Sequence, residues 1–154
     1  MTDGPQPVEL LSGTALTVFR LNGQFLDVAE KLARPAGLTA AWWQVLGAVL
    51  DKPLPVAGIA RVMGITRQSV QRIADLLVGH ELAEYHPNPA HARAKLLTPT
   101  EAGRDAVHRI IPAHQTFADL LTAELGIEGF RHSLEALATL SQALTAIESR
   151  GFSG

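Results

Sequence analysis

The sequence predicts a mainly α-helical protein carrying one small β-hairpin, an α+β arrangement, and three observations carry that prediction. Apolar residues recur at helical spacing from Val8 to the last twenty residues, in a chain that is 47% hydrophobic but only 5% aromatic. Val56, Ile59, Ala60 and Met63, then Val70, Ile73, Ala74 and Leu77, repeat one apolar stripe on either side of Gly64-Ile65-Thr66. Directly afterwards, Leu82 to His86 and Arg93 to Thr98 read as two short strands around the turn-forming Asn88-Pro89-Ala90-His91-Ala92.

Taken in order, residues 1–7 are polar and Pro-containing and predict a mobile tail. A helix follows from Val8 to Arg34, with Leu11, Ala15, Val18, Phe19, Phe25, Leu26, Ala29 and Leu32 at helical spacing. Gly13 and Gly23 weaken it, and Pro35 and Gly37 end it. Thr39 caps a second helix to about Leu50, with Trp43, Leu46 and Leu50 on one side. Pro53-Leu54-Pro55 is too short for a helix and reads as a stub of edge strand. In the next pair of helices Gly64 ends the first, Thr66 caps the second, and the small Ala60 permits a close crossing. Gly79 suits the end of that second helix. After the hairpin, Thr100 caps a long helix to about Leu125, with a kink expected at Pro112 and a stop at Gly126. A last helix, Glu128 to Ser149, carries Leu137, Leu140, Leu144 and Ile147 in a 3–4–3 seam. The first and last helices both offer long apolar faces outside a compact hairpin-bearing core, and pairing between two subunits is the economical way to cover them.

Two short helices joined by a tight turn containing Gly form the unit that lays its second member in a DNA major groove. The face opposite the Val70/Ile73/Ala74/Leu77 stripe carries Gln68, Gln71, Arg72 and Asp75, with Arg67 and Ser69 near the helix start. Gln and Arg can make bidentate bonds to base edges, and Ser and Thr can bond phosphates or bases. Glu and Lys, common on solvated helices, are absent from residues 66–77. Net charge is −2, but its distribution is uneven. Arg61, Arg67, Arg72, Arg93, Lys95 and Arg104 face four acids in that stretch (Asp75, Glu81, Glu84, Glu101). From Asp105 onward three arginines face six acids. The excess is small, so affinity would come from two copies of the face acting together.

Other classes are disfavoured. No apolar run approaches the roughly 18 residues needed to span a bilayer, so no membrane partner is expected. The N-terminus lacks a basic, apolar signal sequence, and a cytoplasmic location fits. The chain has no Cys, which removes disulfides and thiolate metal sites. None of the six His residues has a neighbour at zinc-site helical spacing, and solvated or interface His is the better reading. No phosphate loop, nucleophile elbow or zincin motif is present, so neither an enzyme nor a cofactor site is expected.

On these residues the chain resembles the MarR family of winged-helix transcriptional regulators. The likeness rests on the helix order, on Leu38-Thr39 opening the second helix, on IARVMGITRQSVQRIADLL, and on the hairpin followed by Thr100-Glu101-Ala102-Gly103. It implies a single domain over 1–154: 8–34 and 105–150 as dimerisation helices, and 39–104 as a winged helix-turn-helix. It also implies a homodimer reading a palindrome, with half-site centres about one helical turn, roughly 34 Å, apart. Thr66, Arg67, Gln68, Ser69, Gln71 and Arg72 match recognition-helix positions, and Arg93 matches the wing arginine that enters the minor groove. Many relatives are repressors released by a small aromatic or phenolic effector bound near the junction, where Trp42 and Trp43 stand. Trp43 is expected in the core, and Trp42 toward a cleft or the partner. Three positions depart from the pattern: Asn88 and His91 replace acids, and Pro99 replaces Leu. Without the second acid, Arg93 is held less firmly, or His91 adds a proton-dependent charge beside phosphate, or His91 is simply an exposed turn residue. The alternative to a regulator is a winged-helix module kept for dimerisation or partner binding, with DNA binding weak or lost.

Overall fold

A computed structural model describes residues 4–152. The chain starts with a helix because Pro7 occupies its first position, where the missing N–H costs nothing, and Glu9 reaches back to accept the Gln6 N–H at 3.1 Å. The helical start at Pro7 shortens the tail expected over residues 1–7, and residues 1–3 of that tail lie outside the described range. Helix α1 (Pro7–Ala33) passes through Gly13 and Gly23 uninterrupted. Its outer apolar residues are bare: Leu11 is 66% exposed and Phe19 69%. Only its end enters the core, where Ala33 is fully buried and Glu30 accepts the Ala40 N–H at 2.8 Å.

Helix α2 (Ala40–Val49) is capped by Thr39, whose hydroxyl accepts the Trp42 N–H at 3.1 Å. The buried stripe of α2 is Val45, Leu46 and Val49, not the expected Trp43, Leu46 and Leu50. Trp42 and Trp43 are both half-buried at the edge of the core. Both indoles pack against the buried cluster from its rim, and the branched aliphatic Val45, Leu46 and Val49 take the interior positions.

Strand β1 (Leu54–Pro55) leads into α3 (Val56–Met63), and Gly64 ends α3 at φ 68°, a left-handed conformation that suits Gly. Helix α4 (Arg67–Gly79) buries Val70, Ile73, Ala74 and Leu77. It ends at Gly79, as the sequence predicts. The left-handed residue beyond it is Glu81, at φ 60°, with the Leu82 N–H returning to Leu77 O at 2.9 Å. Strands β2 (Ala83–His86) and β3 (Leu96–Pro99) form an antiparallel sheet in the order β1-β3-β2, and Leu97 pairs with both Leu54 and Tyr85. The second strand was expected from Arg93 but begins at Leu96. Its ladder ends where Leu96 faces His86.

Helix α5 (Glu101–Leu125) is locked to the sheet by Thr100. The Thr100 hydroxyl donates to Glu81 O at 2.7 Å and accepts the Gly103 N–H at 3.1 Å, while its own N–H donates to Leu82 O at 3.1 Å. Gly103 is buried against that same carbonyl, and an added Cβ would lie 2.0 Å from Leu82 O. The chain divides into two compact units between Ile111 and Pro112, inside α5. The first holds the whole buried core, from Ala33 to Ile110. In the second, α6 (Ile127–Ser149) has no buried residue, and Leu134 and Leu144 are 66% and 64% exposed.

The contrast between two helical glycines is testable. Gly103→Ala should lower unfolding free energy by about 1–3 kcal/mol, because the clash is with backbone. Gly47→Ala, in open space on α2, should raise it by about 0.5–1 kcal/mol. Urea denaturation of the two variants beside the parent chain measures both.

Candidate nucleic-acid interface

Burial of one side of α4 turns Arg67, Gln68, Gln71, Arg72 and Asp75 outward, and all five are exposed. Thr66 caps the helix: its hydroxyl accepts the Ser69 N–H at 3.1 Å and donates to the Ser69 hydroxyl at 2.9 Å. These two expected contact residues therefore satisfy each other first.

Between α4 and the wing lies an open groove of about 570 Å³. Arg67, Gln68 and Gln71 form one wall, and Tyr85, His91, Arg93 and Lys95 the other, with Pro55 to Ala57 at its base. Arg67, Arg93 and Lys95 are exposed and make no hydrogen bond or ion pair among the described residues; the same holds for Arg72, which lies outside the groove. Arg104, grouped with these cations by sequence, is committed elsewhere, donating to Leu50 O at the end of α2 at 3.0 Å. Four cations with no partner thus stand on two adjacent elements, an arrangement suited to a polyanion.

Gln71 differs from the other outward residues. Its Nε2 donates to Asp75 Oδ1 and to Tyr85 Oη, both at 3.0 Å, and Tyr85 Oη donates to the same Asp75 oxygen at 2.5 Å. Partial burial, reinforced by the hydrogen bond and the charge of Asp75 and opposed by Gln71, holds the Tyr85 hydroxyl well above the usual tyrosine range. The Gln71–Asp75 pair sits at i,i+4, a spacing at which these side chains bond. That half was readable from sequence. Tyr85 comes from β2 and no local pattern signals it.

At the wing tip Asn88 does by geometry what an acid would do by charge. Its Oδ1 accepts the Ala90 N–H at 3.0 Å and its carbonyl accepts the His91 N–H at 3.2 Å. His91 is exposed beside Arg93 on the groove wall. His86 pairs with Glu84 at 2.9 Å. Trp42 and Trp43 do not line this groove. The Trp42 ring lies 4.9 Å from that of His80. Among the described residues no group of three or more His or acidic side chains could hold a metal ion, and no helix is long and apolar enough to cross a membrane.

A helix-turn-helix followed by an antiparallel hairpin, with open cations on both, defines a winged helix-turn-helix. The MarR family model matches residues 36–94, spanning α2 to the wing, so this segment is similar to the MarR family. Uncharacterised proteins of Mycobacterium tuberculosis and Mycobacterium bovis are each 44% identical over 93 residues, 60% of this chain. That match covers 65% of the relatives' length. Among solved structures, the M. tuberculosis transcriptional regulator MosR in complex with DNA superposes with a TM-score of 0.73 at 23% identity, covering 86% of this chain and 96% of MosR. Bordetella bronchiseptica BpsR, described as regulated in DNA binding by 6-hydroxynicotinic acid, gives 0.73 at 20% identity, over 84% of this chain and 98% of BpsR. A Staphylococcus aureus MarR in complex with salicylate and kanamycin gives 0.72 at 16% identity, over 90% and 95%. This chain therefore has the fold of MarR-family transcription regulators.

Removing the Thr66 hydroxyl tests its capping role. Thr66→Ala should cost about 1 kcal/mol of stability, read by thermal unfolding without DNA, whereas Thr66→Ser should stay near the parent.

Proposed function

We propose that this chain is a DNA-binding transcriptional regulator, a repressor acting as a homodimer on a palindromic operator. The observation that carries the reading is the groove between α4 and the wing, where Arg67, Arg93 and Lys95 stand exposed without partners. Arg67, Gln68 and Arg72 would enter the major groove from α4, with Thr66 and Ser69 at the phosphates. Arg93 would reach the adjacent minor groove, where narrow A·T-rich sequence concentrates negative potential. Residues 39–104 would form the DNA-binding region, with 8–34 and 105–150 as the dimerisation helices. The bare faces of α1 and α6 support that division, since Leu11, Phe19, Leu134 and Leu144 are each about two-thirds exposed in a single chain. Release by a small aromatic acid is proposed by analogy with the ligands named for BpsR and the S. aureus MarR, with Trp42 and Trp43 as candidate contacts.

Gel shifts on DNA upstream of the chain's own gene test the reading. Three groove cations per subunit would together neutralise about six phosphate charges in a dimer, giving a slope of log affinity against log salt of about −5. Arg72→Ala should cost about 1–3 kcal/mol on the preferred site and relax base preference there, while Arg93→Ala weakens binding with less change in major-groove preference. Loss of the shift on adding a salicylate-like acid would support effector release. No shift even at low salt would leave a protein-interaction module as the better account.

Dimerisation has its own test. Sedimentation should show a two-chain species, and a paired change such as Phe19→Glu with Leu144→Glu should yield monomers that no longer shift DNA. A monomeric parent chain would count against the division of roles.

A further inference from the structure

Gln71 stands on the outward face of α4, where a glutamine would be expected to grip adenine, yet its amide is already engaged. Adenine recognition by Gln is bidentate: the amide N–H must donate to N7 while the carbonyl accepts from N6. The Gln71 amide has two hydrogens. Asp75 Oδ1 and Tyr85 Oη stand side by side and both accept from Nε2 at 3.0 Å. Turning the amide over would point its oxygen at the Asp75 carboxylate, so the orientation is chemically enforced. The Tyr85 hydroxyl has one hydrogen, which goes to Asp75 at 2.5 Å, leaving its lone pairs to accept from Gln71. Two members of the triangle belong to α4 and the third to β2, the first strand of the wing.

We propose that Tyr85, Asp75 and Gln71 are positioning residues, a three-way hydrogen-bonded latch that holds the wing against the recognition helix and withholds the Gln71 donors from base reading. This rests on the proposed DNA-binding function for its consequences at the operator, though not for the latch itself. The raised pKa of Tyr85 agrees with a hydroxyl that stays a donor at every pH where the protein would work. The latch sets where Arg93 stands relative to Arg67 across the groove. Helix readout then falls to Arg67, Gln68 and Arg72. Asp75, an acid facing the phosphates, is also partly neutralised by its two donors.

Tyr85→Phe keeps the ring and removes only the hydroxyl, and Gln71→Ala removes the amide. Amide hydrogen exchange of the full-length protein without DNA is the first measurement. Tyr85→Phe should speed exchange at residues 83–99 several-fold while leaving α2 unchanged; wing exchange like the parent's overturns the latch. On operator DNA, each variant should weaken binding roughly two- to tenfold, the range for the net loss of one hydrogen bond. Arg93→Ala should then cost at least about threefold less in the Tyr85→Phe background than in the parent, because the two act together. Equal cost in both backgrounds overturns the positioning role. Selection from randomised operators should give Gln71→Ala the same base preferences as the parent; a preference lost at one position of each half-site would make Gln71 a base reader and overturn the proposal. If the parent fails to bind DNA but Tyr85→Phe still loosens the wing, the latch stands and the DNA-binding reading falls.

Discussion

Val70, Ile73, Ala74 and Leu77 are buried in the core beneath α4, and their burial decides what the other side of that helix can do. Four side chains at i, i+3, i+4 and i+7 occupy one face, so the remaining positions must meet solvent or a ligand. The cost of rotating α4 would be the transfer of these residues to water, about 1.5–3 kcal/mol for each larger side chain. Nothing on the polar face could offset that. Thr66 and Gly64 refine the placement: Gly64 permits the left-handed turn, and the Thr66 hydroxyl fixes the first turn of α4 through Ser69.

The wing depends on a second constraint, at the carbonyl of Leu82. Thr100 donates to it, Gly103 presses against it, and the Thr100 hydroxyl reaches the neighbouring Glu81 carbonyl. The end of α4, the start of β2 and the first turn of α5 thus converge on two peptide groups. Tyr85 adds the third point of attachment, from the sheet back to α4. Between them these contacts fix both ends of the segment that presents Arg93 and Lys95, while the tip itself is shaped by local bonds of Asn88.

Much of this was legible in the residues. The stripes of α3 and α4, the Thr39, Thr66 and Thr100 caps, and the stub at Leu54–Pro55 all follow from short-range rules, and the structure carries each of them. What escaped was long-range or lay at element ends. Gly79 does end α4, but the left-handed conformation falls two residues later on Glu81, where the Leu82 N–H returns to Leu77 O. β3 starts three residues later than expected, because the turn at the wing tip, bonded through Asn88 and His91, takes up residues through Ala94. Trp43 looked like core by spacing, but it packs at the rim while Val45, Leu46 and Val49 take the interior. At the site, helical phase exposed Gln71 correctly and could not reveal that Tyr85 would claim its amide.

A net charge of −2 sits awkwardly with a polyanionic partner only if charge is averaged over the chain. At physiological salt the Debye length is about 8 Å, so a phosphate at the groove responds to the side chains around it and little to acids much farther away. Near the groove the balance is positive: Arg67, Arg93 and Lys95 make no hydrogen bond or ion pair among the described residues, while Arg104 and Arg131 are committed to Leu50 O and Glu128. Asp75 is the one acid on α4, and it would repel the same phosphates if bare. Two donors converge on one of its oxygens, drawing its charge inward toward the wing. On the proposed reading, the contact between Tyr85 and Asp75 would also moderate the least favourable charge on the outer face of α4, so that a near-neutral chain could offer a polyanion a locally cationic groove.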